Sequence, residues 1–224
     1  MGKFLKFLAK KAYITIKQIN FIIIYYMQGI LLLVLSFLVT FIVSRTTNLK
    51  PVANYNNNFE YLPLLTSNLY ADLLIIFITF SGILGTGKSW SILSNWYKKY
   101  RLSAMIADIL IGVLYLMAAR YVMHAYKLKL DLFQFGILAV AIQLFFDFAF
   151  YLLFSAIPRG KNDMLDMFKS WAKYAKLDAL WGDSILVLVG VIVSSFLNQQ
   201  SFNANMFYLI FGAYITPYII YMKD

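Results

Sequence analysis

Long apolar runs separated by short polar connections set the pattern of this chain. Residues 21–43, 69–85, 102–123, 133–157, 179–197 and 206–221 are each nearly free of charge. A helix needs ~20 apolar residues to cross the hydrocarbon core of a bilayer, and these runs meet or approach that length. The pattern predicts an all-α polytopic membrane protein of about six transmembrane helices. Two further segments have a different character. In residues 1–20, Lys3, Lys6, Lys10, Lys11 and Lys17 fall opposite Phe4, Leu5, Leu8, Ala12 and Ile16 at helical spacing. In residues 162–176, Met164, Leu165, Phe168, Trp171, Ala172 and Ala175 share one side, and Lys169, Lys173 and Lys176 occupy the other. Both segments read as basic amphipathic helices lying in the membrane interface. Asn162 is placed to cap the second, with Asp163 and Asp166 in its first turn. Residues 44–68, with Pro51, Pro63 and several Asn, read as the long polar connection, and Pro217 is expected to kink the last helix.

Composition narrows the class. The 224 residues are 62% hydrophobic and 13% charged, with a mean hydropathy of +0.71. Six spans use nearly all of that length, so the chain reads as one membrane domain, 1–224, with no separate soluble catalytic unit. The apolar run 21–43 is too long for a signal-peptide core and is expected to remain as the first span. The formal net charge of +10 would suggest nucleic acid in a soluble protein. Here membrane topology accounts for it, and no nucleic-acid partner is expected. Of the 20 Lys and Arg, fifteen fall on the side of residues 1–20, 86–101, 158–178 and the C-terminal tail, and five on the opposite side. Basic loops stay in the cytoplasm, which predicts that both termini face it and that anionic lipid headgroups meet the basic face.

The absence of Cys excludes disulfides and thiolate chemistry, and the single His, His124, excludes a His-rich metal site. No cofactor is expected. Residues 82–89, Gly82-Ile83-Leu84-Gly85-Thr86-Gly87-Lys88-Ser89, match the phosphate-loop pattern in full. A working phosphate loop also needs a surrounding parallel sheet and a metal-binding Asp on a second strand. The flanking sequence is membrane spans, so the match reads as fortuitous and the protein as not an enzyme.

The residues with chemical potential are charges inside the spans. Asp147 lies near the middle of the fourth run with Gln143 one turn away, and Asp108 and Asp183 enter their helices from the cytoplasmic end. An ionised group near the bilayer centre costs ~2.5–3.5 kcal/mol on insertion scales, so such residues are retained for a reason. One reading makes Asp147, Gln143, Asp108 and Asp183 an intramembrane polar site that carries protons or a cation. The other makes them interhelical glue, with Asp72 and Arg120 forming an ion pair toward the opposite surface.

The stretch Ile157-Pro158-Arg159-Gly160-Lys161-Asn162-Asp163-Met164-Leu165-Asp166-Met167-Phe168-Lys169, continued by Asp178-Ala179-Leu180-Trp181-Gly182-Asp183-Ser184, resembles a segment of uncharacterised multi-span membrane proteins of large DNA viruses of algae and other protists. The similarity covers the fourth and fifth spans with their connector, and no residue role carries over from it. It implies a virally encoded protein of a host intracellular membrane or of the virion's internal membrane. The leading expectation is a structural or interaction protein. It would contact anionic lipid, and other membrane or capsid proteins, through Lys3, Lys6, Lys10, Lys169, Lys173 and Lys176, with oligomerisation open. The alternative is a proton- or cation-conducting transporter or channel that uses Asp147.

Overall fold

The computed structural model describes residues 29–81, 88–175 and 177–222, and every element in them is helical. Helix α1 (Gly29–Thr46) is followed by a loop and a single 3-10 turn (Asn58–Glu60), then by α2 (Tyr61–Ser81), α3 (Lys88–Tyr100) and α4 (Leu102–Ala125). The remainder comprises α5 (Leu132–Ala156), α6 (Asp163–Ala175), α7 (Leu177–Leu197) and α8 (Phe202–Ile220). Five of these, α1, α2, α4, α5 and α7, are long and apolar enough to cross a membrane. The protein is therefore an all-α, multi-pass membrane protein. Helix α8 has the length but is less apolar, with Asn203, Asn205 and Pro217 within it.

Local chemistry explains the helix boundaries. Asp131 and Gln134 form a reciprocal capping box at the start of α5, and Ser201 caps α8 by accepting from the Ala204 N–H. Helix α2 begins at Tyr61, eight residues before the expected start of the second span, because Pro63 lies in its first turn, where helix N–H groups have no intrahelical acceptor. Asn57 caps the preceding turn. Residues 61–68, expected in a loop, are thus helical and largely buried.

Helix α2 is central and packs on α4, α7 and α8. It runs antiparallel to α4 in a register that repeats every four residues. Glu60 meets Arg120, Leu64 and Leu116 share one apolar core, Asn68 abuts Gly112, and Asp72 lies in range of the charge of Asp108. A four-residue step keeps all four rungs on one stripe of each helix. The Asn68 rung is the tightest, since a Cβ on Gly112 would stand 2.2 Å from Asn68 Oδ1. The same oxygen faces Gly190 of α7, so three helices close around one amide.

Two apolar cores occupy the ends of the bundle. One, built on Leu64, Leu116, Phe135 and Leu188, lies toward the loop that carries Val52. The other, built on Ile76, Phe80, Trp96, Tyr97 and Met105, lies toward α3 and α6. Helix α3 occupies a stretch expected to be a connection. Its Trp96 and Tyr97 are buried, and Trp96 packs on Phe168 of α6 at a centroid separation of 4.9 Å. The amphipathic face expected for residues 162–176 exists as α6, with Leu165 N–H donating to Asn162 Oδ1 at the cap. Its apolar side covers the end of the bundle, where Phe168 also meets Phe150 and Phe154. The basic segment 1–20, with Lys3, Lys6 and Lys10, and also Lys176, lie outside the described residues.

Candidate functional site: a buried carboxylate cluster

Where the two cores meet, four spans each contribute an Asp. Asp72 comes from α2, Asp108 from α4, Asp147 from α5 and Asp183 from α7. Asp72 and Asp108 lie within reach of each other's charge, as does Asp183 of both Asp147 and Asp108. The polar file expected of Asp147, Gln143, Asp108 and Asp183 is thus gathered into one region, and Asp72 belongs with it.

Each member has a definite setting. Tyr115 Oη donates to Asp147 Oδ1 at 2.5 Å, and Gln143 Nε2 donates to the other oxygen of the same carboxylate. Ser184 Oγ in turn donates to Gln143 Oε1 at 2.7 Å. This row, Ser184–Gln143–Asp147–Tyr115, ties α7, α5 and α4 together, and Gln143 and Ser184 are fully or almost fully buried. The second row comes up from α3. Trp96 Nε1 donates to Asp108 Oδ2 at 2.9 Å, and Tyr97 Oη donates to Asp72 Oδ1 at 2.8 Å. Two consecutive residues of this short helix can hold carboxylates on two different spans because both side chains are long and end in a donor. Asp72 Oδ2 is buried without a hydrogen-bond partner among the described residues, in a residue only 4% exposed.

Among the described residues, none of the four carboxylates forms an ion pair. The expected Asp72–Arg120 pair is not formed. Arg120 Nη2 is 3.3 Å from Glu60 Oε2 and also donates to the carbonyls of Asn54 and Asn57, with its guanidinium over the Tyr61 ring. The early start of α2 is the reason. It puts Asp72 twelve residues, or ~18 Å, along the helix from Glu60, well away from the end of the bundle where Arg120 lies. Lys169, expected on an outward basic face, turns inward and donates to the Ile157 carbonyl at the end of α5, 3.5 Å from Asp166. Lys173 is on the exposed side of α6.

Trp96, Tyr97, Tyr115 and Ser184 complete the site and were not expected there. Only helical spacing signals the first pair, since Leu93, Trp96, Tyr97 and Tyr100 are related by steps of three and four residues. Among the described residues, no three His, Asp or Glu side chains converge closely enough to hold a metal ion. The run Leu73 to Phe80, which a phosphate loop would need as a strand, lies within α2, and Lys88 opens α3. His124 stacks on Tyr55 at the loop end, with centroids 4.9 Å apart.

Fold and site together define a multi-pass helical membrane protein with a buried carboxylate cluster, without an ion-pair partner among the described residues, at the junction of its spans. Comparison with family models, with characterised proteins and with solved structures finds no match.

Proposed function

We propose that the protein carries protons into or across its membrane through the Asp72, Asp108, Asp147 and Asp183 cluster. The observation that supports this most is the cluster's lack of any ion-pair partner among the described residues, together with the bare Asp72 Oδ2. Four neighbouring carboxylates in a low-dielectric region cannot all be charged without counter-ions, because each desolvated charge costs several kcal/mol and like charges add to it. Protons are the simplest species that relieves them. The surrounding donors are exchangeable hydroxyls, an amide and an indole, so a proton can be held at several adjoining oxygens. The dispersed geometry supports protons over a coordinated metal cation.

In this reading the protein has six spans, with α8 as the last, and the α3/α6 end faces the cytoplasm in accord with the basic bias of that side. A second reading, a structural protein docked on anionic lipid or on partner proteins of a viral membrane, is favoured by the exposed Lys99, Arg159 and Lys161 on the same end. The discriminating measurement is proton flux into proteoliposomes under a pH gradient. Asp72→Asn and Asp147→Asn are expected to lower flux at least tenfold while keeping the wild-type thermal transition. If the wild-type protein does not pass protons at any gradient or voltage, the proton reading is overturned and the docking reading takes its place.

A further inference from the structure

The α2–α4 ladder extends beyond the cluster, and its far rung is another carboxylate. Glu60, the last residue of the 3-10 turn that leads into α2, lies three rungs from Asp72 and is 5% exposed. It accepts from the Asn54 N–H at 3.0 Å and pairs with Arg120. The groups around it come from each neighbouring element: Arg120 of α4, Asn57 of the preceding loop, Asn198 following α7, and Tyr61 beneath the guanidinium. Between Glu60 and the cluster stand Asn68 and the Leu64–Leu116 rung. Both leucines have no exposed surface, and Leu188 and Val191 of α7 fill in around them.

From this arrangement we infer that Glu60 is the second proton site of the path, on the side opposite α3, and that Leu64 and Leu116 are the barrier separating it from Asp72 and Asp108. The inference rests on the proton reading above. Its physical basis is the alternation along one helix stripe: carboxylate, apolar pair, amide, carboxylate. A proton leaving Asp72 passes Asn68, whose Oδ1 accepts and whose Nδ2 is held by the Leu64 carbonyl at 2.8 Å. It then meets two side chains with no polar atom. A hydrophobic constriction of this kind conducts only when wetted. Glu60, held between Arg120 and the Asn54 N–H, accepts a proton that crosses, and the proton is then released to the loop side.

The test uses the full chain in proteoliposomes with a pH-reporting dye inside. Glu60→Gln combined with Arg120→Gln removes the acceptor without leaving a buried charge unpaired, and flux is expected to fall at least tenfold. Leu64→Ala widens the barrier, and passive flux is expected to rise severalfold. If the double variant conducts like wild type while Asp72→Asn is inactive, protons leave by another route and the inference is overturned although the proton reading stands. If wild type itself is inactive, both fall together. Should the double variant fail to fold, Leu116→Ala supplies a second readout from the other side chain of the barrier: passive flux is expected to rise severalfold, and flux unchanged in both Leu64→Ala and Leu116→Ala would overturn the barrier.

Discussion

Arg120 is 1% exposed and Glu60 5% exposed, so either side chain left alone would be a buried charge with no counterpart. Breaking a buried pair by removing one partner costs about 3–5 kcal/mol. Arg120→Leu is therefore expected to lower the stability of the protein by that order in denaturant or thermal unfolding. A double-mutant cycle of Arg120 with Glu60 should return a coupling of at least about 1 kcal/mol, and a cycle of Arg120 with Asp72 close to none. At this scale the sequence is informative where two groups share a helix. Asp147 and Gln143 stand four apart, and that spacing alone brings them together. The partner of Arg120 depends instead on where α2 begins. Trp96, Tyr97 and Tyr115 look, as residue types, like any interfacial aromatic, and only the depth of the carboxylates they reach distinguishes them.

The close contact of α2 with α4 depends on a missing side chain. Gly112→Ala would place a Cβ 2.2 Å from Asn68 Oδ1, and Asn68 has Gly190 on its other flank. The helices must separate, and overpacking of this kind costs about 1–3 kcal/mol. Thermal unfolding should fall accordingly, with recovery when Asn68→Ala is added. Helix α6 supplies a pH test outside the membrane. Hydrogen bonding from the Gly160 N–H at 2.6 Å, aided by Lys169 and Arg159, holds the Asp166 carboxyl below its ordinary range. A carboxylate whose folded value is depressed stabilises the fold at pH above the unfolded value of ~3.9, and this is lost as pH falls through the folded value. The turn before α6 should thus stay closed through neutral and mildly acid pH and loosen only in strong acid. Tryptophan fluorescence reports this through Trp171 and Trp96, and Asp166→Asn should show the loosened signal at neutral pH. Helix α6 with its cap was legible in the sequence because its polar and apolar faces are cleanly divided. Helix α3 was not, since its buried side is made of Trp and Tyr, which score as polar surface until their donors find partners inside.

Viewed as a whole molecule, the bundle holds its members unequally. Helix α1 touches the rest through a narrow strip. Phe37 and Phe41 lie edge-on to Phe133, Thr40 is fully buried beside Gly136, and Arg45 pairs with Asp131. Apart from the half-buried Leu33, its other large side chains from Ile30 to Ile42 are exposed. Phe133→Ala is expected to speed amide hydrogen exchange in α1 while leaving exchange in α2 and α7 near wild type. Equal acceleration throughout would mean that α1 is integral to the bundle. The multi-pass class was legible because apolar length is a one-dimensional property. The cluster's assembly was not, because it depends on how four helices turn toward one another.

The loose hold on α1 bears on how such a chain is made. A ribosome delivers α1 ahead of α2 to α8, and α5, whose Phe133, Gly136 and N-cap Asp131 it contacts, emerges only after α2, α3 and α4 have been synthesised. Helix α1 is apolar enough to wait in lipid alone. The least apolar of the long helices, α8, is made after the others, when α2 is already in place to receive it: Tyr70 Oη donates to the Tyr208 carbonyl, and Gly212 lets Leu69 approach closely. Of these two, the helix made earlier is self-sufficient in lipid, and the one made last enters a membrane already prepared to keep it.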